Sequence, residues 1–188
     1  MQENKTISNS TSFVLANKVK DYFQLIKFTL SFMVVFSTVV SFLIAPYHQI
    51  YTRPTLLSVL LLFVAGMLIT GSANSINQVL EKHTDAIMKR TAKRPVASGR
   101  MSENEAYIFA FITGVIGVGM MWYFFNLQSA LIGLFSLFLY GFIYTPLKKI
   151  NSVAVLVGAI PGALPCLIGW VAATDEFSIG GWILFGIQ

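Results

Sequence analysis

Three oxygen-bearing side chains recur at every fourth position of this 188-residue sequence: Asn77, Glu81 and Asp85. On an α-helix a step of four residues advances about 400°, so successive members drift by only about 40° and share one face. Carboxylates at i and i+4 repel each other and destabilise a helix by about 0.2–0.5 kcal/mol. A hard divalent cation reverses that sign. Mg²⁺ prefers oxygen ligands, keeps several waters, and is commonly held by one or two carboxylates together with substrate phosphates. The spacing therefore suits a Mg²⁺–diphosphate complex. Basic residues follow at once: Lys89, Arg90, Lys93, Arg94 and Arg100. Arg grips phosphate oxygens in bidentate fashion, and Lys acts as a point charge. His83 lies about 200° round the helix from either carboxylate and is not expected to join them. From spacing alone a solvated connector, with Asp85 and Lys89 as an ordinary i,i+4 pair, remains open.

The elements that must position these residues are apolar. Hydrophobic residues make up 55% of the chain and charged residues 11%, and mean hydropathy is +0.70. Soluble domains carry about 25% charged residues. The apolar residues gather in long runs at 28–45, 55–75, 107–125, 129–145 and 153–173, none containing a charge. Each is long enough to cross a bilayer as a helix, which takes about 17–25 residues. A further run, 179–188, is about half a span. The expected architecture is an all-α, polytopic transmembrane bundle with five complete spans and part of a sixth. Residues 1–20 are expected to form a polar, disordered tail and 21–188 one membrane domain. No short apolar stretch near Met1 leads to a cleavage site.

The basic residues orient the bundle. Twelve of the thirteen lie in the N-terminal segment, the 77–106 loop and the loop holding Lys148 and Lys149; Arg53 alone lies on the other side. Lys and Arg are retained on the cytoplasmic side, so the N-terminus and the 77–106 loop are expected there, in a bacterial-type plasma (inner) membrane. The net charge of +5 then follows from topology. Nucleic-acid binding is not expected, because the basic residues sit in short loops without interleaved aromatics.

Asn77-x3-Glu81-x3-Asp85 with Lys89-Arg90-Thr91-x2-Arg94-Pro95 resembles the first acidic motif of the UbiA superfamily of intramembrane prenyltransferases. A second stretch is Tyr144-Thr-Pro-Leu-Lys148-Lys149, then Val157-Gly-Ala-Ile-Pro161-Gly162-Ala163-Leu-Pro165 and Gly169-Trp170. It resembles the haem-farnesylating branch, the haem O synthase family. The resemblance runs from about residue 20 to the end. It implies nine helices around a central cavity when complete. It also implies Mg²⁺-dependent transfer of the farnesyl group of farnesyl diphosphate to a vinyl group of haem B, with addition of water. Haem O and diphosphate are the products. Asn77, Glu81 and Asp85 match positions that hold Mg²⁺ and diphosphate, so they are the expected catalytic and metal-binding residues. Lys89, Arg90, Lys93, Arg94 and Lys148 are expected on the diphosphate. The implied partners are farnesyl diphosphate, haem B, the lipid bilayer and the next enzyme of haem A synthesis. The runner-up acceptor is an aromatic acid of quinone synthesis, and a transporter or structural subunit is the reading from another class. Glu81 stands where the family usually has Asp, and His83 where Asp is frequent. The family's second polar segment, between spans six and seven, lies beyond this sequence. The chain is therefore expected to be an N-terminal part holding half of the diphosphate site.

Other residues have plainer readings. Pro95 and Gly99 are expected to end the helix after the acids, and Ser102-Glu-Asn-Glu105 to open the next with a capping box. Pro161 and Pro165 should kink or break the fifth span. Gly158 and Gly162 suit either close helix packing or a cavity wall. Cys166 is read as a packing residue. Tyr47, Tyr51, Trp122 and Tyr123 are read as interfacial, and His48 is placed in the outer loop. Phe28, Phe32 or Tyr140 could face a carbocation, with lipid contact or core packing as the plainer role for any one of them in a chain that is 14% aromatic.

Overall fold

The computed structural model describes residues 17–46 and 56–188. The expectations for residues 1–16, Tyr47, His48, Tyr51 and Arg53 lie outside the described residues. Residues 17–20, expected in the tail, are helical: α1 spans Asn17–Leu25. It meets α2 (Phe28–Ile44) at 51° across a two-residue break. Lys27 makes that bend, with φ +49° in the left-handed region. For a residue with a Cβ this conformation costs of order 1–2 kcal/mol, so something around Lys27 must hold it. α1 carries Lys18, Lys20 and Asp21, so the span proper is α2.

α3 (Leu56–Leu80) has 25 residues and is about 37 Å long at 1.5 Å per residue. That exceeds a hydrocarbon core of about 30 Å, and its last turns project from it. The helix loosens at Glu81 and continues as α4 (Lys82–Ile87). The i→i−4 bonds persist across the join: the Glu81 amide donates to the Asn77 carbonyl at 3.0 Å and the Asp85 amide to Glu81 at 2.8 Å. The expected common face therefore survives the change of helix. The helix ends at Ile87, before the expected stop at Pro95, and 88–101 is a series of turns. This segment folds back on a small second core of Leu25, Val79, Val96, Met101 and Ala106. Arg100 ties it to α1 through Asp21 at 2.9 Å.

α5 (Glu103–Phe124) opens at Ser102, whose hydroxyl accepts from the Glu105 amide at 3.1 Å. The Ser102 backbone also acts back on the Glu105 carboxylate, as the expected capping box requires, and that carboxylate accepts as well from Lys18 at 2.8 Å and Tyr22 at 2.9 Å. α6 (Leu127–Phe138) is capped by Asn126 and runs through a π-helical stretch, Leu139–Tyr144, into the short α7 (Thr145–Leu147). α8 (Ala154–Thr174) passes Pro161 and Pro165 without ending, so of the expected kink or break the break does not occur. α9 spans Ile179–Ile187.

Four long apolar helices, Leu56–Leu80, Glu103–Phe124, Leu127–Leu147 and Ala154–Thr174, can each cross a membrane, and the α1–α2 pair supplies a fifth candidate. The described residues form no strand. The main core joins α2, α3, α5, α6 and α8 around Leu62, Ile69, Met121, Leu167 and Val171. α2 and α8 meet at Gly169, where a Cβ would overlap the Thr38 carbonyl. Gly162 packs against no neighbour and lines a cavity together with Gly158, Pro161 and Pro165. Both readings left open for that glycine pair hold in part: Gly158 also packs closely, since a Cβ there would overlap the Tyr144 ring, while Gly162 serves only the cavity wall.

Candidate active site

The acid face ends up buried at the polar end of the bundle. Asn77, Glu81 and Asp85 are respectively 1%, 6% and 4% exposed. Carboxylates at such burial must be paired. The Glu81 carboxylate accepts from Lys148 Nζ at 2.7 Å. Asp85 accepts from Arg94 Nη1 at 2.6 Å, and the same nitrogen lies 3.9 Å from Glu81. Thr91 donates to the Asp85 carbonyl at 3.0 Å, which turns the loop so that Arg94 faces back to the acids.

Asn77 is held from two sides. Its Oδ1 accepts from Lys27 Nζ at 2.6 Å, and its Nδ2 donates to Thr145 Oγ1 at 3.1 Å. Thr145 in turn donates to the Tyr140 carbonyl at 2.8 Å. The wide π turn rotates Thr145 toward α3, which an unbroken α-helix would not do; such turns mark functional sites. Burial lowers the Lys27 ammonium from its ordinary range to about 8, and the nearby Arg94 charge adds to this against the opposing pull of Glu81 and Asp85. Its hydrogen-bond partner is a neutral amide. Two carboxylates thus face three cations, Lys27, Arg94 and Lys148, and the excess charge has the sign an anion requires.

The structure brings together Asn77, Glu81, Asp85, Arg94 and Lys148. It leaves Lys89, Arg90 and Lys93 exposed on the turns. Lys27 and Thr145 were missed by sequence reasoning. Lys27 was legible only as a basic residue flanking a span, and Thr145 only as a polar residue before Pro146. His83, not expected to join the acids, is exposed.

Oxygen donors fit Mg²⁺. Among the described residues no three His, Cys, Asp or Glu side chains gather to hold a metal by themselves. Two carboxylates and an amide oxygen are what the chain offers, which fits an ion shared with substrate phosphates better than an all-protein cage. Beside this cluster lies a cavity of about 220 Å³, walled by apolar residues such as Leu30, Val34, Ile69 and Pro165 and reaching Asn74 and Tyr140. The cluster's own side chains do not line this cavity; the link runs through Asn74, one turn before Asn77, and Tyr140, whose carbonyl accepts from Thr145. A charged, oxygen-rich site with an apolar pocket nearby suits a lipid with an anionic head.

Residues 34–188 match the profile of the UbiA prenyltransferase family. The chain is 41% identical over 168 residues to a protoheme IX farnesyltransferase of Flavobacterium psychrophilum, covering 89% of this chain and 55% of that protein. It is 44% identical over 169 residues to that of Flavobacterium johnsoniae, with the same coverages. The mitochondrial protoheme IX farnesyltransferase of Candida glabrata is 35% identical over 97% of this chain and 40% of its own length. The chain spans about half the length of the curated relatives it matches. Among solved structures, a digeranylgeranylglyceryl phosphate synthase superposes with a TM-score of 0.77 at 22% identity, over 90% of this chain and 57% of that one. A UbiA homolog from Archaeoglobus fulgidus bound to GPP and Mg²⁺ gives 0.68 at 14% identity, over 89% and 60%. At these identities the superpositions show a shared fold.

Proposed function

The chain belongs to the UbiA prenyltransferase family, and on that premise we propose that it transfers the farnesyl group of farnesyl diphosphate to a vinyl group of haem B. The products are haem O and diphosphate, and the reaction requires Mg²⁺. The observation that carries this reading is the buried Asn77–Glu81–Asp85 face, ringed by Lys27, Arg94 and Lys148, with an apolar cavity lined by Asn74, one turn before Asn77 on the same helix. The names of the relatives support haem as acceptor.

Ionising an allylic diphosphate moves negative charge onto the leaving group. Groups that meet this charge as it grows accelerate the step. When bound, Mg²⁺ supplies Lewis-acid neutralisation of that charge; Glu81, Asp85 and Asn77 Oδ1 would hold it. Lys27, Arg94 and Lys148, released from those oxygens, bind the diphosphate. Lys89, Arg90 and Lys93 form an outer basic rim that draws the anion in. Thr145 fixes the Asn77 amide with its oxygen toward Lys27. The apolar walls take the farnesyl chain and exclude bulk water. The site faces the cytoplasm by the distribution of basic residues, and haem O passes to the next enzyme of haem A synthesis.

The test uses the full-length protein in membranes with haem B, farnesyl diphosphate and Mg²⁺, followed by mass analysis of extracted haem. A gain of farnesyl plus water, abolished by a chelator and by Asp85→Ala, is expected. Prenylation of an aromatic acid instead would move the acceptor, and no transfer from folded protein would sink the enzyme reading.

A further inference from the structure

The cavity beside the acid cluster has one polar strip. Thr70 and Asn74 stand at i, i+4 on α3, Ser136 and Tyr140 at i, i+4 where α6 enters the π stretch, and all four line the cavity. Asn74 is 2% exposed. Its Nδ2 donates to the Ile26 carbonyl at 3.2 Å and to Ser31 Oγ at 3.0 Å. A carbonyl can only accept, so this contact settles which end of the amide is nitrogen. The other end, Oδ1, is buried and has no hydrogen-bond partner among the described residues.

An orphaned buried acceptor costs about 1–3 kcal/mol, and such groups call for water or a function. The participants in the proposed reaction narrow the choice. A farnesyl chain has no hydrogen-bond donor, and neither does a vinyl group or an ionised diphosphate. Water has two. A buried water needs about two to four polar partners, and the Thr70, Ser136 and Tyr140 hydroxyls stand in the same wall.

We propose that Asn74 Oδ1 holds the water molecule that is added to the haem side chain; the inference rests on the haem-farnesylating reading. The C1–O bond of farnesyl diphosphate breaks and its electron pair leaves with diphosphate. The vinyl π pair forms the carbon–carbon bond from the terminal vinyl carbon to C1. Positive charge is left on the carbon attached to the macrocycle. The held water donates a lone pair to that carbon, and its proton passes to the released diphosphate. Asn74 accepts a hydrogen bond from the water and stays neutral. It orients one water and keeps it from quenching the farnesyl cation. Its place suits this, one turn before Asn77 and hence beside the diphosphate end of the cavity.

The experiment is the haem assay on the full-length protein in H₂¹⁸O, read as the ratio of hydrated to unhydrated farnesyl haem. Wild type should give the labelled, hydrated product. Asn74→Leu should lower the hydrated fraction at least tenfold, with the water-free farnesyl product in its place, while farnesyl diphosphate still binds. Asn74→Asp in its neutral acid form keeps an acceptor and a donor, and should retain the hydrated product. A role confined to tying α3 to the α1–α2 break would lower total turnover in both variants without changing the ratio, and that result overturns the proposal. If Asn74→Leu does not fold, density for the wild-type protein decides: an ordered water on Oδ1 supports the proposal, and a side chain from elsewhere in the protein on Oδ1 overturns it. Wild type that farnesylates no haem would remove the haem reading itself. Hydrated product from wild type with an unchanged ratio in Asn74→Leu removes this inference alone.

Discussion

Five basic side chains were expected on the diphosphate, and their surroundings divide them. Arg94 and Lys148 already bond to buried carboxylates, joined by Lys27 on the Asn77 amide. Lys89, Arg90 and Lys93 are exposed; Lys148 is half exposed too, at 48% of its side chain, and is set apart by its 2.7 Å bond to the buried Glu81 carboxylate. Charges that touch a ligand in a desolvated site change how fast it leaves, whereas rim charges change how fast it arrives and how salt affects arrival. Lys27→Met, Arg94→Ala and Lys148→Ala should each weaken binding of farnesyl diphosphate at least tenfold, or about 1.4 kcal/mol, mainly through the off-rate. Lys89→Ala, Arg90→Ala and Lys93→Ala should change affinity less than threefold and flatten the salt dependence of the on-rate. Stopped-flow binding in detergent at several salt concentrations separates the two patterns, and equal effects from both sets would refute the division.

At the scale of elements, the site depends on three irregularities: the bend at Lys27, the loosening at Glu81 and the π turn before Thr145. Each departs from a straight helix, and each brings a polar group to the same place. Regular packing elsewhere holds them there. The α2–α8 contact is the most demanding, because Gly169 lies directly against the Thr38 backbone and a Cβ has nowhere to go. Backbone cannot yield as a flexible side chain can, and overpacking of this kind costs about 1–3 kcal/mol. Gly169→Val should therefore lower the thermal midpoint in detergent by several degrees. Gly162→Ala, which meets open cavity, should leave the midpoint within error. A Gly169→Val protein as stable as wild type would mean that α8 does not seat on α2 as described.

Across the whole molecule, the acid cluster, the basic turns and α1 share one end, and the α8–α9 turn lies at the other. If the basic end is cytoplasmic, an impermeant maleimide applied to intact cells should label Phe177→Cys and not Ser98→Cys. The native Cys166 is buried, so background is low. Labelling of Ser98→Cys alone would invert the topology and place the diphosphate site on the outer face.

Much of this was legible in the linear chain. Spans follow from local composition: a run of apolar residues has a low energy in lipid whatever the rest of the chain does. The shared face of Asn77, Glu81 and Asp85 follows from helical periodicity, and it survived the break at Glu81 because the backbone bonds continued through it. The tertiary structure decided which polar groups meet that face. Lys27 lies 50 positions from Asn77 and Lys148 lies 67 from Glu81, so their meeting depends on how α1, α2 and the π turn pack. Arg94 turns inward, while Lys89 and Arg90 do not, because the 88–101 turns settle on a small core assembled from α1, α3 and α5. The cavity, with Asn74 in its wall, is a property of five helices at once. Local energetics set each helix by itself, whereas a site between helices exists only once their packing has chosen which side chains are left without partners.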